Sequence, residues 1–414
     1  MTTDSTLDGA TAGMPEVFVD QEWFDPLEAE VRARIRSFIE SLLEAELETA
    51  LSRRRYERGA EGAAGLGHRH GHRERGLLGT FGPLRVKVPR ARLATADGGT
   101  SEWRNATIPA YQRRTRQADA LIAGVYLAGT NTRRVRRALA ALFAGGVGKD
   151  VVSRVWRQVK SDWDGWNARS LAAEAIVRLI LDGTVVRVRL DRKSTSVSLL
   201  VVLGVRKNGQ KVLLAIRSMG GESAEAWRAV LDDLVRHGLA KPRFLIVDGA
   251  PGLEKALAAL WPDVPTQRCT VHKHRNLLAH APDRLHEELS ADYNDMIYAA
   301  TPEQVEARRK AFIRKWQLKC RAVADSLEEA GERLFTFTRL PPSQWKSART
   351  TNAIERLHEE FKRRIKTQTL LPSAETAAML FWALLAAGQI QMRKVDGWHT
   401  LGEPISDQPI DLAA

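Results

Sequence analysis

Three acidic side chains at separated points of the sequence have the chemistry to hold divalent metal ions. Asp182 follows the apolar run 176–181, and Asp248 follows the apolar run 244–247. Glu355 lies on a later, strongly periodic segment. Ligand sites in open α/β sheets form where strands end, so we expect the two aspartates to share one site. Carboxylates suit Mg²⁺, and two such ions about 3.5–4 Å apart can activate both the attacking and the leaving oxygen of a phosphodiester.

Each of these acids also fits an ordinary structural role. Asp182-Gly183 is typical of a hairpin turn, and Asp248 stands close before a proline, where it fits the cap of the next helix. Asn352 and Glu355 have the spacing of a helix capping box. Taken together, an Asp-Gly pair after each of two apolar runs and a glutamate on a later helix favour a shared site over three unrelated local motifs.

The segments around the acids predict an α/β domain with a mixed sheet. Four β-rich runs separated by turn-like dipeptides predict an antiparallel meander, and a helix capped by Ser223, a buried strand, a second helix and a further strand follow it. The predicted elements are strands 176–181, 185–190, 197–205 and 212–217, helix 223–238, strand 244–247, helix 251–260 and strand 266–271.

A charge-rich helical stretch over 273–333 then interrupts this α/β domain, and a final apolar helix is predicted over 374–387. Between them, a loop after Pro342 leads to a helix from Asn352 to about Lys366, with Glu355 at the margin of its apolar stripe and facing a cleft. The predicted buried stripe is Ile354, Leu357, Phe361 and Ile365. Basic residues predicted to hold DNA phosphates on this helix are Arg356, Lys362, Arg363 and Arg364.

The N-terminal third predicts a helix over 26–56, a Gly- and His-rich break over 59–76, and a short strand over 84–88 ended by Pro89. Between 113 and 166 the pattern is helical, with a glycine break that indicates a helix-turn-helix. An ordinary pair of surface helices with solvated charges is the alternative. Side chains on the second helix that are predicted to contact bases and phosphates are Arg154, Arg157, Gln158 and Lys160.

Composition limits the class of protein. The 414 residues suggest two or three domains, and 63 Lys and Arg against 50 Asp and Glu give a net charge of +13, which favours a polyanionic partner. The longest apolar run, 197–205, is far shorter than the roughly 18 residues of a membrane span. The first residues lack the pattern of a signal peptide, and two cysteines make no disulfide framework. A cytoplasmic protein without membrane partners is predicted.

Several sequence blocks in order resemble the mutator-type transposases of bacterial insertion sequences. They are LILDGTVVRVR, FLIVDGAPGLEKAL, RCTVHKHRNLL and RTTNAIERLHEEFKRR, with RRYERG, GHRERGLLGTFGPLRVKVPRAR and YQRRTR upstream. The resemblance as a whole covers roughly residues 40 to 395. By motif position, the resemblance implies that Asp182, Asp248 and Glu355 are the catalytic metal ligands of a DDE transposase. The Cys-x-x-His element of the family falls on Cys269 and His272.

The resemblance further implies an RNase H-like mixed-sheet catalytic core interrupted by an α-helical insertion, preceded by a mainly helical DNA-binding region with a helix-turn-helix. It implies two Mg²⁺ ions per site, replaceable by Mn²⁺, and double-stranded terminal inverted repeats and target DNA as partners. A homodimer or higher oligomer on DNA at the bacterial nucleoid is expected.

The predicted domains are 1–112, N-terminal helical and short β region; 113–170, helix-turn-helix; 171–272, first part of the core; 273–346, insertion; and 347–414, C-terminal core helices.

Departures from the family pattern are mild. His68, His70 and His72 stand where relatives often carry aromatic and Asn residues, and a solvated basic loop is predicted for them, while His358 stands where Asn is frequent. Cys269 and His272 have zinc-like spacing but lack a second pair, so packing beside the site is predicted.

Trp345 is predicted to be buried, with stacking on an unpaired base as the alternative. Two alternatives to a transposase remain open at this point. One is an RNase H-like nuclease or resolvase without strand transfer, and the other is a non-catalytic DNA-binding repressor.

Overall fold

The computed structural model describes residues 26–57, 66–95, 97–127, 132–143, 147–190, 193–365, 373–388 and 390–411. These residues form two compact units. The first contains the described residues up to Tyr126 together with 132–156, and the second contains Leu127 and the described residues from Arg157 onward. None of the described helices is both long and apolar enough to span a bilayer.

The first unit contains helix α1 (Pro26–Leu51) and a three-stranded antiparallel sheet of β1 (Gly67–Gly79), β2 (Gly82–Ala94) and β3 (Thr100–Glu102). Leucines at helical spacing along α1, among them Leu43 and Leu47, are fully buried, and α1 packs on β2 because that strand turns Val86 and Ala91 inward.

Two sequence predictions in this sheet are wrong. The short strand predicted over 84–88 does not end at Pro89 but continues to Ala94. Pro89 lies opposite His72, at the point where the register of β1 shifts. Because the ladder is irregular there, it accommodates the missing N–H of Pro89. His68, His70 and His72 lie in strand β1 and not in a loop. His72 Nε2 is 3.0 Å from Glu44 Oε1, and His70 Nε2 is 3.5 Å from Glu102 Oε2.

The helices that follow are α2 (Arg116–Leu127), α3 (Thr132–Ala138), α4 (Ala140–Phe143) and α5 (Lys149–Asn167). The apolar residues Val135, Phe143 and Val152 of these helices are buried in one cluster. Most of the glycine break between the predicted helices lies outside the described residues.

The second unit is built on a mixed five-stranded sheet, as the sequence predicts. Its strands lie in the order β6-β5-β4-β7-β8. The first three pair antiparallel, whereas β7 and β8 are parallel to β4. The strands are β4 (Ile176–Leu190), β5 (Lys193–Arg206), β6 (Lys211–Met219), β7 (Phe244–Val247) and β8 (Thr266–Arg268).

Helices α6 (Ala224–Arg236) and α7 (Pro251–Leu260) cover one face of this sheet. Ser223 caps α6 as predicted, because its hydroxyl oxygen accepts a hydrogen bond from the Ala226 N–H at 3.1 Å. Trp227 on α6 is fully buried in the same apolar cluster as Leu179 and Leu181 of β4.

The predicted four-strand meander is wrong in one respect. Runs 176–181 and 185–190 form the single strand β4, and Asp182 and Gly183 pair with Val201 and Leu200 of β5 instead of forming a turn. The strand predicted over 266–271 ends at Arg268, because a helix begins at Thr270.

From Thr270 to Ala348 the chain contains helices and no strand, as predicted for 273–333. A short helix, α12, replaces the loop predicted after Pro342. The helices are α8 (Thr270–His280), α9 (His286–Ile297), α10 (Pro302–Lys319), α11 (Arg321–Ala330), α12 (Pro342–Ala348), α13 (Asn352–Ile365) and α14 (Ala374–Ala386).

The two ends of this helical block are hydrogen-bonded to each other. The Thr270 N–H donates to the Arg349 carbonyl oxygen at 2.9 Å, and the Thr351 N–H donates to Cys269 Sγ at 3.3 Å. The chain therefore leaves the sheet after β8 and returns to the same place before α13, which packs on β4.

Candidate active site

The strand register places the two aspartates side by side. Leu181 of β4 lies opposite Val247 of β7 in parallel pairing, so Asp182 and Asp248 are the next residues on neighbouring strands. Leu181 points into the cluster under α6 and α7, and because side chains alternate along a strand, Asp182 points to the opposite face. Asp182 is only 2% exposed, while Asp248 is half-buried.

The electrostatic surroundings of Asp182 favour an additional positive charge. Burial, and next the charge of Asp248, raise the pKa of Asp182 to about 7. Glu355 adds to this rise, whereas His272 and a hydrogen bond with Thr351 oppose it. Glu355 therefore acts on the same carboxylate as Asp248, and the structure brings all three predicted acids into one neighbourhood.

Asp248 also forms a hydrogen bond with the backbone of the residues that follow it. Its Oδ1 accepts a hydrogen bond from the Ala250 N–H at 2.9 Å, and Ala250 is the N-cap residue of α7. The side chain is thus both a support of the helix start and a neighbour of Asp182, so the two interpretations of this residue do not exclude each other.

Glu355 is held by basic residues of α8. Its Oε1 lies 2.6 Å from Arg275 Nη1 and 3.6 Å from His272 Nε2. The capping-box interpretation is wrong, because Asn352 is already helical and its N–H pairs with Thr350 Oγ1 at 3.4 Å. Of the predicted stripe, Ile354, Leu357 and Phe361 are buried, and the side chain of Ile365 lies outside the described residues.

Cys269 and His272 pack beside the acids. The fully buried Cys269 accepts the Thr351 N–H, and its hydrogen bond with His272 raises the pKa of His272 to about 9, although burial acts in the opposite direction. The charges of Asp182 and Glu355 raise that pKa further. His272 Nδ1 is 3.4 Å from Thr351 Oγ1, so a network of buried polar groups supports the start of α13.

A fourth carboxylate, Glu222, was not identified from the sequence. It is half-buried, its pKa is raised by burial and then by the charge of Asp248, and a methyl group on Gly183 would overlap its carboxyl group. The available signal was an acidic residue shortly after the end of the apolar strand β6, but Gly220 and Gly221 separate it from that strand and hide the pattern.

The donor set fits a hard divalent cation in type. Asp182 is buried beside a second carboxylate, an arrangement that a cation would compensate. Within the described parts of the chain, however, no three His, Cys, Asp or Glu side chains stand close enough together to hold a metal ion, and Glu355 is turned to Arg275. Binding by all three acids therefore requires Glu355 to leave Arg275.

The predicted DNA-contacting residues on α5 are exposed. Arg154, Arg157, Gln158 and Lys160 all lie on the surface of the helix, and the Gln158 amide donates to Asp162 Oδ1 at 2.9 Å.

On α13, the basic residues of the last turn pair with glutamates of the same helix. Ion pairs join Lys362 to Glu359 at 3.2 Å and both Arg363 and Arg364 to Glu360, at 3.2 and 2.6 Å. Arg356 differs from them, because its side chain makes no hydrogen bond or ion pair with another described residue and affects Glu360 only through its charge.

Two aromatic side chains near the site are structural. Trp345 is buried as predicted, with its Nε1–H donating to the Leu340 carbonyl at 2.7 Å and its ring edge-on to Phe337. His358 packs edge-on to Phe381, and burial lowers its pKa to about 3, so it is neutral at physiological pH.

Comparison with known proteins assigns the family. The sequence model described as "Transposase, Mutator family" matches residues 19–393. The chain is 29% identical over 319 residues to the transposase for insertion sequence element ISRM5 of Rhizobium meliloti, covering 77% of this chain and 78% of that protein. It is 31% identical over 278 residues to the transposase for IS6120 of Mycolicibacterium smegmatis, covering 66% and 85%. The transposase for IS256 in transposon Tn4001 of Staphylococcus aureus is 27% identical, with 77% and 80% covered. The chain therefore belongs to the Mutator family of transposases.

Proposed function

We propose that this chain is the DDE transposase of a bacterial insertion sequence, which binds the terminal inverted repeats, cleaves DNA strands and transfers them to target DNA. The observation that carries the proposal is that Asp182 and Asp248 directly follow the paired residues Leu181 and Val247 of two parallel strands, with Asp182 buried and its pKa raised. Family membership supports it, and so do the relatives, each of which is described as a transposase for an insertion sequence element.

Asp182, Asp248 and Glu355 are the groups that would hold two Mg²⁺ ions, with Mn²⁺ as a substitute. When bound, such ions lower the pKa of an attacking water or 3′-hydroxyl and stabilise the leaving 3′-oxygen. Within the chain itself, the sheet orients the two aspartates, Arg275 and His272 hold Glu355 at the rim, and the Cys269–Thr351 contact anchors the start of α13. No covalent intermediate with the protein is required.

The remaining proposals concern DNA and assembly. The mixed sheet of the second unit is proposed to be an RNase H-like core (171–272 and 347–414) interrupted by the helical insertion 273–346. Residues 113–170 are proposed as a helix-turn-helix that presents Arg154, Arg157, Gln158 and Lys160 to the terminal repeats. Phosphates near the site are assigned to Arg356, Lys362, Arg363 and Arg364. The protein would act as a homodimer or higher oligomer on nucleoid DNA in the cytoplasm.

The test replaces one carboxylate with an amide. Asp182→Asn should lower Mg²⁺-dependent cleavage of a duplex carrying the transposon end by at least about 1000-fold, because several kcal/mol of charge stabilisation are removed. Binding of the same duplex should be unchanged. The matched control is Asp263→Asn, an exposed aspartate whose side chain is 69% accessible. Full cleavage by Asp182→Asn would refute the assignment.

A second measurement separates transposase from nuclease. Pre-cleaved transposon ends are incubated with a supercoiled plasmid and Mg²⁺, and joined products are scored on a gel. Joined products support strand transfer. Cleavage without any joined product would identify an RNase H-like nuclease, and binding without either reaction would identify a repressor.

A further inference from the structure

A cavity of about 1070 Å³ lies in the second unit beside the acidic site. Helices α12 and α13 and the segment that follows α14 form its walls, and Ile180 of β4 lies on its wall. Its lining carries six cationic side chains against two carboxylates, Glu360 and Asp396. The cationic residues are Lys211, Lys346, Arg349, Arg356, Arg393 and Lys394.

Much of this positive charge is not compensated within the chain. The side chains of Arg356 and Arg393 are exposed and make no hydrogen bond or ion pair with any described residue, although the charge of Arg356 acts on Glu360. Lys346 pairs with Asp396 at 3.4 Å but is 76% exposed, so water screens that pair. Burial, and more weakly the charge of Arg356, lower the pKa of Lys211, although Asp396 opposes this. An anionic ligand would relieve the mutual repulsion of these groups.

An aromatic ring stands among the cations. Tyr298 lines the cavity and is 63% exposed, and the Arg349 guanidinium lies 4.3 Å from the centre of its ring. A hydrogen bond holds the Arg349 side chain in place, because its Nη1 donates to the Ile297 carbonyl oxygen at 2.7 Å. A fixed and accessible ring beside phosphate-binding cations is the combination that binds unpaired nucleotides, because any base can stack on it.

The elements that carry two of the acids, β4 and α13, also line the cavity. Ile180 on its wall is two residues before Asp182 on the same face of β4, and Arg356 follows Glu355 on α13. We propose that this cavity binds an unpaired DNA strand next to the scissile bond, with backbone phosphates on Arg356 and Arg393 and a base on Tyr298. The inference rests on the proposed function, because it takes the acids as the place of cleavage.

The test measures binding of a fluorescein-labelled oligothymidine and of a duplex of equal length by fluorescence anisotropy, using the full chain in EDTA. The double variant Arg356→Gln, Arg393→Gln should weaken single-strand binding at least about tenfold. It should also lower the slope of log affinity against log salt by about 1.4, since each lost phosphate contact removes about 0.7. The control is Arg314→Gln, Arg321→Gln, which removes the same charge from two exposed arginines of the helical block.

A second probe locates the strand on the protein. An oligonucleotide with 5-iododeoxyuridine is cross-linked by light to the wild-type chain, and the modified peptide is identified by mass spectrometry. Cross-linking at Tyr298 that disappears in Tyr298→Leu supports the inference.

Three results would overturn the inference: equal binding by the double variant and its control, an equal loss of duplex binding, or cross-links confined to other peptides. If the oligonucleotide cross-links to Tyr298 but the wild-type chain never cleaves transposon ends, the proposed function is wrong and the single-strand binding site in the cavity is still supported.

Discussion

The two aspartates and the glutamate of the candidate site are positioned by different kinds of structure. Asp182 and Asp248 each follow the last paired residue, Leu181 and Val247, of the parallel ladder between β4 and β7, so this ladder sets their spacing, and Asp182 is almost fully buried. Glu355 is on a helix, is 26% exposed, and owes its present orientation to Arg275 and His272. Two of the acids are therefore held in place by the sheet, while the third is held by a side-chain contact that can be exchanged.

The largest predicted effect follows from the burial of Asp182 and, next, from its repulsion by Asp248. A folded pKa of about 7 lies above the ordinary value of 3.8, so the contribution of Asp182 to stability is fully present below about pH 4 and is lost as pH rises through 7. The wild type loses this contribution as pH rises, and Asp182→Asn does not. The unfolding free energy of Asp182→Asn minus that of the wild type should therefore increase by about 1.4 kcal/mol for each pH unit between about pH 4 and pH 7. Urea denaturation in EDTA between pH 4 and pH 8 measures it.

The matched change on the helix is Glu355→Gln. It removes a carboxylate that is already paired with Arg275, so the unfolding free energy should change by at most about 1 kcal/mol. A pH-independent difference between Asp182→Asn and the wild type would show that the sheet does not strain the aspartates, and the contrast between the two regions would disappear.

A smaller effect is expected where the sheet makes room for the fourth carboxylate. Gly183→Ala places a methyl group where the Glu222 carboxyl group lies, and we expect a loss of about 1–3 kcal/mol of unfolding free energy. In a Glu222→Ala background the same substitution should cost much less. Gly221→Ala, which meets only open space, is the control. An equal cost in both backgrounds would mean that Glu222 is not the obstacle.

The smallest effect concerns the exchangeable contact. Arg275→Gln frees Glu355, and because an exposed ion pair is worth about 0.2–1 kcal/mol, the Kd for Mn²⁺ without DNA should fall roughly two- to fivefold. Isothermal titration calorimetry measures this, with Arg321→Gln as the control. Weaker Mn²⁺ binding by Arg275→Gln would indicate that the arginine orients Glu355 toward the ion instead of withholding it.

The sequence was sufficient to predict those elements whose bounds are set by local residue patterns. Strand 244–247 and helix 251–260 have the predicted bounds, because a short apolar run and a proline-started helix contain their own start and stop signals. The closeness of Asp182 and Asp248 agrees with the expectation that aspartates at strand ends share one site, although Asp182 lies within β4 and not at its end.

Predictions failed where pairing with a distant segment overrides a local signal. Asp182-Gly183 has the residues of a turn, yet β5 continues its ladder past them, and Pro89 stays within β2 because the partner strand is irregular there. Neither partner lies next to these residues in sequence. The Arg275–Glu355 contact joins residues 80 positions apart and had no sequence signal at all.

The hydrogen bonds that join Thr270 to Arg349 and Cys269 to Thr351 connect residues that are 79 and 82 positions apart, so they close the helical block between them into a loop. A segment whose two ends are bonded to each other tolerates insertions, deletions and replacement with little effect on the sheet that carries it. The reason is that the free-energy cost of closing a loop rises only slowly with the length of the loop. The helices that lie between α8 and α12 can therefore be remodelled, and with them the surface offered to different partners, whereas His272 and Arg275 of α8 contact Glu355 and are tied to the candidate site.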